Sequence, residues 1–211
     1  MEIIKTHYKV SKPVKAWKEI KAEAGLMRRF IVRGRLKGYY NKAFSISHCQ
    51  VNEKPYAFFV VAPECLKEKM FVDDVIINPE IVECKPHKQI TNEVKIPNII
   101  EYREPCLSFP FRKPKAVKRY DVIKVKYQIH GLLGGFRTIK AELKGIASEI
   151  FQHECDHLQG KNIYFTSEAP VKWWELIGTA RSIGGTSLDD PKELNLKRAS
   201  VEPTEQINVE G

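Results

Sequence analysis

The chain has 211 residues, 43% hydrophobic and 29% charged, long enough to close one globular domain around a real core. No apolar run approaches membrane-spanning length, and the stretch from Met1 to Lys5 lacks the apolar core of a signal peptide. The net charge of +9 sits at the front: residues 1–42 carry twelve Lys and Arg against three Glu, and the rest is neutral in sum. Such a basic N-terminal region is a candidate face for a ribosome, nucleic acid or anionic lipid, with a solvated lysine-rich helix as the plainer alternative. Five cysteines (Cys49, Cys65, Cys84, Cys106 and Cys155) include no CxxC pair, which fits a reduced, cytoplasmic setting.

In chain order, the pattern predicts a helix over 13–37. Pro13 suits its first turn, and Trp17, Ile20, Ala24 and Met27 recur at helical spacing. Residues 43–51 alternate like a strand, with Phe44, Ile46 and His48 on one side. A short buried strand is expected over 56–61, between Pro55 and Pro63. Another is expected over 74–82, broken by turn chemistry at Asn78-Pro79. Residues 104–110 read as irregular, because Pro105 and Pro110 bracket them. A basic loop with Arg112, Lys113, Lys115, Lys118 and Arg119 follows. Stretches 121–130 and 136–143 alternate cleanly and form a hairpin through Gly131 to Gly135.

The run from Gly145 to Gly160 reads as a late helix. Ile146, Ile150, His153 and His157 lie on one stripe, and Gly160 is a C-terminal stop. Residues 171–184, with Trp173 and Trp174, suggest a short helix, and 185–211 a disordered polar tail. The expected fold class is α+β. Short antiparallel sheets pack around the late helix, with an N-terminal helix, in one domain over 1–170.

The chemistry concentrates in His153-Glu154-Cys155-Asp156-His157. On a helix, residues four apart share a face, so His153 and His157 both reach one metal ion. Glu154 lies beside them, placed to handle a proton on a water that the metal activates. Cys155 is about 200° from His153 around the helix and points elsewhere. Two imidazoles need a third protein ligand to hold a catalytic ion. A downstream carboxylate, Glu175, would give a thermolysin-like metallopeptidase. An upstream thiolate, Cys106, is the other route.

The segment from His153 to Gly160 resembles the His-Glu-x-Asp-His-Leu-x-Gly motif of peptide deformylases. Glu104-Pro-Cys-Leu-Ser108 resembles their Glu-Gly-Cys-Leu-Ser segment, in the same order along the chain, and Asn78-Pro79-Glu80 is similar to a further element. Residues 43–50 match the family's Gly-x-Gly-x-Ala-Ala-x-Gln segment at Gln50, while both glycines and both alanines are replaced. Pro105 stands where the family has Gly and removes a backbone N–H. The resemblance covers about residues 1–165.

That resemblance implies removal of the N-formyl group from N-formylmethionyl peptides, with release of formate. It implies one divalent ion per chain held by Cys106, His153 and His157, with Fe(II) favoured and Zn, Ni or Co as substitutes. Glu154 would move the proton, while the Gln50 side chain and the Leu107 N–H would stabilise the developing negative oxygen. Phe44, Ser45 and Ile46 would form one side of the substrate groove and Pro105 the other. Ile150 would line the methionine pocket, and Arg112 would meet the peptide. The partners implied are a formylated nascent peptide and, through the basic N-terminal region, the ribosome, with no membrane and no specific DNA. A third reading keeps the fold and the metal but acts as a binding module.

Overall fold

The computed structural model describes residues 3, 8–36, 44–84, 99–110, 112–132, 134–164 and 208–209. The helix expected over 171–184, and the tail beyond it apart from Asn208 and Val209, lie outside the described residues.

The N-terminal helix begins later than its sequence pattern suggests. A 3₁₀ turn at Trp17–Glu19 precedes α1 (Lys21–Leu36), and Pro13 lies in extended chain. Two side chains hold residues 14–16 out of the helix. The Glu19 carboxylate accepts the N–H groups of Lys15 and Ala16, at 2.8 and 3.0 Å. The Asn78 amide bonds both backbone groups of Val14, each at 2.9 Å. From Ile20 onward the helical stripe holds, and Ile20, Ala24, Met27 and Ile31 are all buried.

The main sheet is antiparallel, in the order β1 (Ser45–Ser47), β2 (Phe58–Val61), β3 (Val75–Cys84), β6 (Val122–His130), β7 (Phe136–Lys144), β8 (Asn208–Val209). A short helix, α2 (Pro63–Lys67), follows β2. A separate two-stranded ribbon pairs β4 (Ile99–Glu104) with β5 (Lys115–Tyr120). The late helix, α3 (Gly145–Leu158), packs on the sheet, with Phe151 edge-on to Phe59 at 5.7 Å and against Tyr127 at 6.0 Å. This is the α+β arrangement that the sequence predicts.

Three local expectations need correction. The strand expected over 43–51 stops at Ser47 and tightens into a 3₁₀ turn, His48–Gln50. His48 therefore turns inward, where its Nδ1 accepts the Tyr56 N–H at 2.9 Å. Asn78-Pro79 does not break β3. Asn78 takes a positive φ of 47° and a bulge lets the strand run on past it. Arg119 is not part of a solvated basic loop; it lies in β5 and is buried.

The extended segment before α1 straps the end of α3. Ser11 N–H donates to the Leu158 carbonyl at 2.9 Å. Gly160, with φ +81°, follows that end, and a Cβ there would meet the Tyr8 carbonyl oxygen at 3.0 Å, so only glycine fits both the turn and the strap.

Candidate metal centre and its surroundings

Three side chains from two elements converge. His153 and His157 come from successive turns of α3, and Cys106 comes from the loop after β4. Their ligand atoms all lie within 4.8 Å of one another, and all three side chains are largely shielded from solvent. The two Nε2 atoms are 3.0 Å apart, and Cys106 Sγ lies 3.4 Å from His157 Nε2.

The far ring nitrogens are each taken by an oxygen. His153 Nδ1 lies 2.7 Å from Glu104 Oε2, and His157 Nδ1 lies 3.0 Å from the Lys161 carbonyl. Protons on the Nδ1 atoms leave both Nε2 lone pairs aimed at the shared point, as a metal site requires. The donor set fits one divalent cation with a position left open. The upstream thiolate route is therefore the one the geometry builds, while Glu175 lies outside the described residues.

The members of this cluster also shift one another's titration. Burial alone would raise the Cys106 thiol, but His157 and His153 beside it outweigh that and bring it down to about 6. Burial disfavours charge on His153, yet Cys106 and Glu104 raise its pKa well above the usual value. Glu104 is buried too, and Arg119 with His153 overcomes that penalty and holds its carboxyl at about 2. Arg119 bonds both Glu104 oxygens, at 2.7 and 2.9 Å, and its third nitrogen reaches Asp156 Oδ2 at 2.5 Å. The ribbon is thereby tied to α3 through charge.

Glu154 is 1% exposed. Ser45 donates to its Oε1 at 2.6 Å, and Ser47 donates to its Oε2. Gln50 is fixed at both ends. Its Oε1 accepts the Ser47 N–H at 2.8 Å and its Nε2 donates to Ser108 Oγ at 3.1 Å, 3.9 Å from Cys106 Sγ. The Tyr8 hydroxyl donates to the same Ser108 oxygen at 2.5 Å and accepts from Asn162 Nδ2 at 3.0 Å.

The remaining sequence-derived residues spread out. Phe44 is half-buried beside β1, and its carbonyl accepts the Ala62 N–H at 2.7 Å. Ile46 and Ile150 belong to the apolar core, and Leu107 packs against it. Pro105 is exposed next to Cys106, and exposed Arg112 stacks over Phe109 and Tyr164. Sequence reasoning missed the roles of Arg119, Ser47, Tyr8, Ser108 and Asn162. One signal was available, since Asp156 beside a metal ligand calls for a cation and Arg119 is the cation that meets it.

An α+β fold in which Cys106 from a loop joins His153 and His157 of one helix, with a glutamate beside them, defines the class of proteins built around a Cys/His/His metal centre. Comparison with known proteins narrows that class. The polypeptide deformylase family model matches residues 6–170. A peptide deformylase of Thermotoga maritima is 37% identical over 110 residues, covering 48% of this chain and 56% of the relative. One of Limosilactobacillus reuteri is 29% identical over 157 residues, covering 74% of this chain and 73% of the relative. The solved peptide deformylase of Thermus thermophilus superposes with a TM-score of 0.50 at 26% identity, covering 72% of this chain and 74% of that one. The chain belongs to the polypeptide deformylase family. Its match spans little more than half the length of the Thermotoga relative, 56%.

Proposed function

We propose that this chain is a peptide deformylase, removing the formyl group from N-formylmethionine at the N-terminus of newly made polypeptides and releasing formate. The observation that carries the reading is the convergence of Cys106, His153 and His157 beside a buried Glu154. A Cys/His/His set suits Fe(II), Zn, Ni or Co by donor softness, and the family resemblance favours Fe(II). Such an ion, when bound, would act as a Lewis acid, polarising the formyl carbonyl and making water a nucleophile near neutral pH.

The chain's own groups do the rest. Glu154 takes the proton from the attacking water and returns it to the departing amine. Gln50 Nε2, which donates to Ser108 Oγ and to the more distant Cys106 Sγ, turns its second hydrogen from the sulfur to the oxygen that gains negative charge, alongside the Leu107 N–H. The peptide adds as an extended strand along β1, an edge strand of the main sheet. In this pose Phe44, Ser45 and Ile46 offer backbone on one side and Pro105 flanks the other. Ile150 lines the floor of the methionine pocket, and Arg112 meets the peptide beyond it.

The ribosome is the further partner we infer, through the basic front of the chain, where Lys21, Arg29 and Arg33 of α1 are exposed. Nascent-chain processing places the protein in the cytoplasm, and among the described residues no helix is long and apolar enough to cross a membrane. Ribosome pelleting that weakens steeply with salt supports the docking, and salt-independent pelleting or none opposes it.

The test of function is formate release from an N-formylmethionyl tripeptide by anaerobically purified, Fe(II)-loaded protein. An N-terminally blocked peptide without a formyl group serves as the control. Formate release without cleavage inside either peptide supports the reading. Internal cleavage instead identifies a metallopeptidase.

A further inference from the structure

We propose that Ser45 and Ser47 are positioning residues that clamp the Glu154 carboxylate for proton transfer, a task this chain assigns to side chains where the family motif has glycine and alanine. The inference rests on the deformylase reading for its chemistry and on the structure for its geometry. Residues 45 and 47 are two apart on β1, so their side chains leave the same face of the strand. That face meets α3, and each hydroxyl takes a different oxygen of one carboxylate: Ser45 takes Oε1 at 2.6 Å and Ser47 takes Oε2.

An ionised carboxylate only accepts hydrogen bonds, so both hydroxyls donate. Ser47 Oγ also lies 3.3 Å from the Glu154 carbonyl, but it has one hydrogen and the carboxylate oxygen is nearer. Glutamate has a long, freely rotating side chain, and a single bond to one oxygen leaves its terminal torsion loose. Bonds to both oxygens from one rigid strand fix that torsion. The Ser47 backbone N–H meanwhile holds Gln50 Oε1, so the same residue sets both the proton carrier and the oxyanion donor.

The experiment compares wild type, Ser45→Gly, Ser47→Ala and the double variant, as full chains loaded with metal, in the wild-type and Glu154→Ala backgrounds. The double variant is expected to lose roughly 10- to 100-fold in kcat with KM unchanged, as for a reacting group displaced by a fraction of an ångström. Its metal content and Tm are expected to stay near wild type. In the Glu154→Ala background the same substitutions are expected to change the residual rate by less than about twofold, because they act through the missing carboxylate.

Wild-type kcat in the double variant overturns the proposal. So does an equal loss in both backgrounds, which marks a structural role for β1, or a raised KM with unchanged kcat, which marks peptide binding. Crystal structures of wild type and the double variant give a second readout: one Glu154 conformer in the first and several in the second. Absence of turnover in the wild type sinks the deformylase reading alone. The clamp is then decided by those structures, where a single shared conformer overturns it.

Discussion

Glu104 Oε2 lies 2.7 Å from His153 Nδ1, and both oxygens of that carboxylate are held by Arg119. One buried carboxylate thus orients a metal ligand and neutralises a buried guanidinium at once. Glu104→Ala is expected to weaken metal affinity by about 10- to 100-fold, because the imidazole loses its orienting partner. It is also expected to cost about 3–5 kcal/mol of stability, because Arg119 keeps only Asp156. Metal titration and urea unfolding of the same variant check both numbers. A normal metal affinity would detach Glu104 from the site.

The thiolate ligand separates this account from a thermolysin-like one. Cys106→Ser is expected to abolish stoichiometric metal binding under competition with a weak chelator, while Glu175→Ala leaves it intact. Elemental analysis after dialysis reads the outcome. The reverse pattern would hand the third ligand to Glu175.

Metal removal should loosen the junction between ribbon and helix, because Cys106 follows the ribbon and both histidines sit on α3. Stripping the ion with a strong chelator is expected to lower Tm by roughly 8–16 °C, if the loaded protein was held near a thousand-fold above its Kd. Calorimetry of the stripped chain, and of the same chain reloaded with Fe(II), Zn, Ni or Co, measures it. An unchanged Tm would mean the three ligands bind no ion that matters to the fold.

His48 gives the fold a dependence on pH. Burial pushes its pKa below the ordinary 6.5, and Glu23, whose Oε2 lies 2.8 Å from Nε2, only partly opposes that. The folded form keeps this histidine neutral while the unfolded chain takes up a proton below about pH 6.5. Its contribution to stability is therefore complete above the unfolded value and is lost as pH falls toward the folded one. His48→Gln is expected to flatten that decline between about pH 7.5 and 5 in a Tm series. A variant curve parallel to wild type would place the acid sensitivity elsewhere.

The metal helix was legible because its stripe is long and its two histidines fall on it. Chemistry and core packing ask for the same face there. The strand around Ser45 was legible only in part. Phe44, Ile46 and His48 alternate as a strand would, and the one local signal for the turn at His48 is the Ser47-x-x-Gln50 capping box, whose Gln50 Oε1 takes the Ser47 N–H. Distant partners hold the turn as well, with Tyr56 N–H on the His48 ring and Ser108 on Gln50. Arg119 was misread for the same reason. In a run of lysines it looks solvated, and its partners Glu104 and Asp156 lie 15 and 37 residues away. Periodicity reports which face is buried, not which buried charges find each other.

The central claim is that Glu154 carries the proton in formyl hydrolysis at the Cys106/His153/His157 centre. The most direct measurement is kcat/KM for formate release by wild type and Glu154→Gln, each with its metal content determined on the same sample. The account predicts full metal occupancy in both and a fall of at least about 100-fold in the variant. Wild-type turnover in Glu154→Gln at equal occupancy would contradict it.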